Sequence, residues 1–249
     1  QLIKNLPDYQ LVQKLCPPQR LPPKEIGASP EFTLALDLDE TLLHCSPDRD
    51  ETEEEPHHTF DVIYQGSKFP VYAWLRPNLH DFLEKIHQNF EVVIFTASQP
   101  EYANKILGII DPEGKYFKHR LFRDACMNVE GSYVKDLTVL GRDLSKCMLV
   151  DNSPHVFGYN LDNGIPISSW YDDRQDNELE KLEWFLRELE EGGDVRKQIR
   201  NRFQCYKLVE NVGLNHGQFV GTTSQSNPHD GIRTSGSATP IASATRRRM

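Results

Sequence analysis

Thr33-Leu34-Ala35-Leu36-Asp37-Leu38-Asp39-Glu40-Thr41-Leu42-Leu43 is the stretch that decides how this chain is read. Thr33 to Leu38 is a short apolar run after Pro30, too short for a helix and suited to a buried strand. It delivers two carboxylates, Asp37 and Asp39, two residues apart. In a regular strand both side chains point to one face and Leu38 to the other. Like charges held that close repel unless a cation sits between them or one carboxyl keeps its proton. Either state is useful in phosphoryl transfer. One carboxylate can attack, a second can move a proton, and a divalent cation can offset the charge. Taken alone, the pair also reads as two solvated acids at a strand end.

Working outward, apolar strands and helices alternate. Phe60 to Tyr64 and Phe69 to Leu75 flank Gln65-Gly66-Ser67-Lys68, a hairpin signal closed by Arg76-Pro77. Leu79, Phe82, Leu83 and Ile86 recur at helical spacing, and Phe90 to Phe95 is a second apolar strand. Tyr102, Ala103, Ile106, Leu107 and Ile110 give a second helix that stops at Asp111-Pro112. Further strands are expected over Lys118 to Phe122, Met148 to Val150 and Ile165 to Ile167. Leu179, Leu182, Phe185, Leu186 and Leu189 predict a helix ending at Gly192-Gly193. Strands spaced by helices predict an α/β fold with a mostly parallel sheet flanked by helices, carrying a short β-hairpin insert after the first strand. In such sheets ligands bind beyond the carboxyl ends of the strands.

Three regions are expected. Residues 1–30 are a Pro-rich, irregular lead-in that wraps the body, 31–210 are the folded domain, and 211–249 are a Ser/Thr/Gly-rich tail. The tail has too few large apolar groups to offset the entropy of ordering, so disorder is expected there. The 249 residues carry 28 basic and 37 acidic side chains, a formal net charge of −9. The tail is the exception, with four Arg and one Asp. An acidic body argues against direct nucleic-acid binding. No run approaches the eighteen apolar residues of a membrane span. The five cysteines are scattered with no CxxC, which suits a reducing nuclear or cytoplasmic setting rather than a disulfide frame or zinc site. The chain starts at Gln1 with neither Met nor a signal-type apolar segment, consistent with a fragment.

The segment Asp37-Leu38-Asp39-Glu40-Thr41-Leu42 resembles the first motif of the haloacid dehalogenase superfamily. More specifically, it is similar to the FCP/SCP-type phosphatases that act on the carboxyl-terminal domain of RNA polymerase II. Further segments fit in order: Phe95-Thr96-Ala97-Ser98, Arg120-Leu121-Phe122-Arg123, Tyr133-Val134-Lys135-Asp136-Leu137, Gly141-Arg142-Asp143-Leu144 and Val150-Asp151-Asn152-Ser153-Pro154. The resemblance implies a Rossmann-like fold and a Mg²⁺-dependent protein serine/threonine phosphatase working through an aspartyl-phosphate. It implies Asp37 as nucleophile and Asp39 as general acid and then base. Thr96, Lys135 and Arg123 would hold the phosphoryl group and offset its charge. Asp37, the Asp39 carbonyl, Asp151 and Asn152 would hold the metal. The implied partner is a phosphoserine protein, with the RNA polymerase II carboxyl-terminal domain as one candidate.

Each of these residues has a plainer reading on its own. Thr96 could cap the helix near Pro100, Lys135 could be a surface lysine, and Arg123 could pair with Asp124. Asp151-Asn152-Ser153-Pro154 reads alone as a turn. Arg76 is expected to be structural and His44 supporting or structural. The acidic run Asp48, Asp50, Glu51, Glu53, Glu54 and Glu55 departs from the family, as do Pro47 and Gln99 where a large apolar group is usual. Such a loop would repel highly acidic substrates. A binding or tethering module on the same fold is the alternative, and such relatives usually lack one of the motif Asp residues or the Lys.

Overall fold

The structure, a computed structural model, describes residues 2–25, 27, 29–49 and 55–210. The expected disordered tail over 211–249 and most of the acidic loop lie outside these residues.

The core is a five-stranded sheet built from β1 (Phe32–Leu36), β5 (Phe90–Phe95), β6 (His119–Leu121), β9 (Cys147–Asp151) and β10 (Gly164–Pro166). Its order is β10-β9-β1-β5-β6, and all four pairings are parallel. Parallel strands covered on both faces need near-continuous apolar runs, and β1, β5 and β9 are buried throughout and apolar except for Thr33, Glu91 and Asp151. The chain leaves β1 toward β5 on one side, while β9 returns to pair on the other. The carboxyl ends of β1 and β9 therefore flank the topological switch point, where open α/β sheets form their crevice.

Side chains alternate between the two faces. Leu34, Leu36, Val92, Ile94, Met148 and Val150 pack with α2 (Leu79–Ile86), α3 (Pro100–Ile110), α4 (Glu178–Glu190) and α5 (Val195–Phe203). Ala35, Val93, Phe95, Cys147 and Leu149 face a second cluster made by short 3₁₀ turns around Leu137–Leu140 and Pro154–Phe157. Leu21 of the lead-in joins that second cluster.

The hairpin insert is present as β3 (His58–Tyr64) and β4 (Ser67–Leu75), closed by a two-residue turn in which Gln65 and Gly66 both have positive φ. The short strand β2 (Leu43–Ser46) pairs with β4 and makes the insert three-stranded. A second tight hairpin, β7 (Met127–Val129) with β8 (Ser132–Val134), turns through Glu130-Gly131 at φ 50° and 86°. It delivers the next residue, Lys135.

Two expectations need correction. The first strand ends at Leu36 rather than Leu38, and the chain then turns at Glu40, which lies in the left-handed region at φ 56°. The lead-in is not wholly irregular. It holds α1 (Tyr9–Val12), capped by Asp8, and 3₁₀ turns. It does wrap the body: Val12 packs against Met127, Val129 and Val134, and the Tyr9 hydroxyl donates to Asp136 at 2.7 Å.

Candidate active site

The site is assembled at the carboxyl ends of three strands. Asp37 follows β1, and its N–H still donates to Val150 O at 3.0 Å, so its backbone is held by the neighbouring strand. Asp151 ends β9. Lys135 follows β8, with its own N–H fixed on Val156 O at 2.7 Å. The Lys135 ammonium lies between the two carboxylates, 2.6 Å from Asp37 Oδ1 and 2.5 Å from Asp151 Oδ2. It is 1% exposed, so the surface-lysine reading does not hold. Burial favours the neutral amine, but Asp151 and Asp37 outweigh it and hold Lys135 firmly protonated. The remaining acceptors are also fixed. Thr41 Oγ1 donates to Asp37 Oδ2 at 3.1 Å, and the Ser153 N–H donates to Asp151 Oδ1 at 2.8 Å.

Asp39 faces a different set of partners. Ser98 Oγ donates to its Oδ2 at 2.6 Å and Tyr102 Oη to its Oδ1 at 2.5 Å. Burial raises its pKa to about 6, while the two hydroxyls pull the other way and Asp37 and Glu40 add to the rise. Asp151 is likewise pushed up by burial and by Asp37, against the pull of Lys135. Asp39 thus sits in an environment separate from the Asp37–Lys135–Asp151 cluster, as acids given different roles do.

Thr96 follows β5. Its N–H donates to Leu121 O and its Oγ1 accepts the Ser98 N–H at 3.0 Å, which fixes the turn leading into α3. The N-cap of α3 is Gln99, so Thr96 is not its cap. Arg123 does not pair with Asp124, whose carboxylate lies 3.3 Å from Arg20 instead. Arg123 Nε donates to Ala97 O at 2.6 Å and the guanidinium lies over Tyr133, 5.0 Å from the ring centre. That anchors one edge of the fork beside the Thr96 turn. Asn152 Nδ2 donates to Ser169 Oγ at 2.9 Å, which directs the amide oxygen the other way.

The loop bearing the acids is pinned from behind. Arg76, 1% exposed, forms a two-bond fork on Asp176 at 2.7 Å each and donates to Thr41 O at 2.9 Å. Its expected structural role is thus what it performs. His44 sits 3.2 Å from Glu40, next to Trp74 and Tyr171.

The donor set fits a hard divalent cation. Among the described residues no three His, Cys, Asp or Glu side chains form a metal cluster by themselves. Two carboxylates, an Asn amide oxygen and a main-chain carbonyl are nevertheless the ligands a small oxygen-seeking cation takes alongside water. Asp37 and Asp151 also bring two acids to one ammonium, a deficit of positive charge.

Sequence reasoning passed over Thr41, Ser98 and Tyr102 as functional residues. Ser98 and Thr41 lay inside quoted motifs. Tyr102 was counted only as an apolar position of α3.

A family model described as NLI interacting factor-like phosphatase matches residues 32–196. The chain belongs to this family. It is 52% identical over 193 residues to CTD small phosphatase-like protein 2 of Dictyostelium discoideum, covering 78% of this chain and 33% of that one. It is 44% identical over 219 residues to CTD small phosphatase-like protein 3 of Caenorhabditis elegans, covering 87% and 74%. The chain thus spans about a third of the Dictyostelium relative. Among solved structures, the fission yeast RNA polymerase II CTD phosphatase Fcp1 bound to beryllium fluoride aligns with a TM-score of 0.50 at 23% identity, covering 76% of this chain and 59% of that one. This likeness gives the fold, a parallel sheet flanked by helices. No described helix is long and apolar enough to cross a membrane.

Proposed function

We propose that residues 31–210 form a Mg²⁺-dependent protein serine/threonine phosphatase domain that works through an aspartyl-phosphate on Asp37. The observation that carries this reading is the buried Lys135 ammonium between Asp37 and Asp151, with Asp39 held apart by hydroxyls. The Lys135 ammonium contacts the Asp37 carboxylate and orients it as the nucleophile. Asp39 donates a proton to the departing serine oxygen and then takes one from the attacking water. Thr96 and the free edge of the Arg123 fork hold phosphoryl oxygens. Mg²⁺ would be held by Asp37, Asp151, Asn152 and the Asp39 carbonyl, and when bound it would offset the charge on the phosphoryl oxygens.

The thirty-residue insert is too small to close over a metabolite as a lid. A site that so short an insert leaves open would suit a loop or tail of a phosphoprotein. The names of the relatives make the carboxyl-terminal domain of RNA polymerase II one candidate substrate. A nuclear or cytoplasmic setting accords with the unpaired thiols. The test is hydrolysis of p-nitrophenyl phosphate and of a phosphoserine peptide with Mg²⁺, with EDTA, and by Asp37→Asn. Turnover that needs metal and disappears in the variant supports the proposal. A folded wild-type chain inert toward both substrates with Mg²⁺ refutes it.

A further inference from the structure

Asp39 is treated differently from its neighbours. Asp37 and Asp151 share a cation, whereas both oxygens of Asp39 are occupied by neutral hydroxyls, Ser98 Oγ at 2.6 Å and Tyr102 Oη at 2.5 Å. Each hydroxyl is itself fixed. Ser98 sits in the turn set by its N–H bond to Thr96 Oγ1. Tyr102 lies in the first turns of α3, with its ring stacked on Phe60 of the insert at 6.4 Å between centres. A carboxylate accepts hydrogen bonds on both oxygens, whereas a protonated carboxyl must use one oxygen as a donor. The pair of O–H donors therefore matches the ionised form of Asp39.

We infer that Ser98 and Tyr102 are positioning residues for proton transfer to the leaving group, acting through Asp39. This rests on the phosphatase reading above. In the first step a bond forms between an Asp37 oxygen and phosphorus. The ester P–O bond breaks, and its electron pair goes to the serine oxygen. The O–H bond of the Asp39 carboxyl breaks, and its proton goes to that same oxygen. Asp39 is left as a carboxylate, the form that the two hydroxyls bind. They consequently strengthen as charge develops on Asp39, and so act in the transition state rather than in the resting acid. Neutral donors also let Asp39 take a proton back in the second step. An ammonium at the distance of Lys135 would oppose that return.

The readout is dependence on the leaving group. A serine alkoxide needs a proton to depart, and p-nitrophenolate leaves without one. With the full chain and Mg²⁺, kcat/KM is compared on a phosphoserine peptide and on p-nitrophenyl phosphate for Tyr102→Phe, Ser98→Ala and the double variant. Asp39→Asn serves as the reference. Tyr102→Phe keeps the ring and its packing on Phe60. Hydrogen bonds to charged groups are worth enough that each single variant is expected to lose about tenfold or more on the peptide relative to the aryl phosphate. The double variant should approach the profile of Asp39→Asn, and Ser98→Thr, which keeps the hydroxyl, should recover part of the loss. Equal losses on both substrates, or none, would overturn the inference while leaving the phosphatase reading intact. A wild-type chain inert on both substrates would overturn both.

Discussion

Replacing Lys135 by Met tests the electrostatic account of the site. Its ammonium contacts Asp37 at 2.6 Å and Asp151 at 2.5 Å, and all three groups are buried. With an effective dielectric of ~20, each contact contributes about 6 kcal/mol of Coulomb attraction. Most of that is offset by the cost of taking three charges out of water. What a substitution measures is the penalty of leaving the partners unpaired, about 3–5 kcal/mol for a buried pair. That is a large share of a typical domain stability of about 5–15 kcal/mol. The assay is denaturant unfolding at neutral pH with EDTA, comparing Lys135→Met, Asp151→Asn and the double variant. Lys135→Met is expected to lose about 3–5 kcal/mol. The double variant removes one of the two stranded charges and should recover a good part of that loss, so the two changes are not additive. A Lys135→Met chain as stable as wild type would refute the reasoning. So would a double variant whose loss equals the sum of the single losses.

Glu91 should govern part of the acid stability at the other end of the sheet. Burial opposes its ionised form, but Arg142, Thr33 and Lys24 outweigh it and hold its pKa at about 2 against an ordinary 4.5. A lowered carboxylate value stabilises above the unfolded value and loses that contribution as pH falls from about 4.5 toward 2. This is worth about 3 kcal/mol, and Glu91→Gln should flatten that limb of a stability–pH profile measured by urea unfolding. Arg76→Lys removes a two-bond fork that an ammonium cannot reproduce, and should cost about 3 kcal/mol by denaturant unfolding. Because Arg76 also holds Thr41 O behind the acids, the same variant should slow phosphate hydrolysis in the temperature range where it stays folded.

The strands were legible where burial on both faces wrote a continuous apolar run. Phe90–Phe95 appears in the structure with its expected limits, and the helix over Leu79 to Ile86 likewise. The hairpin was legible from Gly66 between two apolar runs, since the positive φ of such a turn favours glycine. Elements that rely on distant partners were not. The three-residue strands β7 and β8 carry no usable periodicity, yet they deliver Lys135. The lead-in docks through Tyr9 on Asp136 and Val12 on Met127, contacts more than a hundred residues apart. Helix α5 had a local signal in Asp194, which caps it by accepting from the Arg196 N–H, but its charged face hid the apolar Val195 and Ile199.

The chemistry divides in the same way. The two acids after an apolar strand and the Asp151-Asn152 end were visible as residue types in order, and the structure brings Asp37, Lys135 and Asp151 together. Tyr102 was visible only as an apolar helix position. An α-helical spacing marks which face is buried, and it says nothing of a hydroxyl at the end of a buried ring. Only the tertiary contact with Asp39 reveals that use.

Mapping the phosphorylated residue during turnover tests the central claim most directly. The Asp39→Asn chain is mixed with Mg²⁺ and p-nitrophenyl phosphate, whose leaving group needs no acid, and quenched in acid before peptide mass mapping. The account predicts one phosphoryl group on the peptide containing Asp37, released by hydroxylamine as an acyl phosphate is, and absent in Asp37→Asn. Phosphate found on another residue, or full turnover by Asp37→Asn, would contradict it.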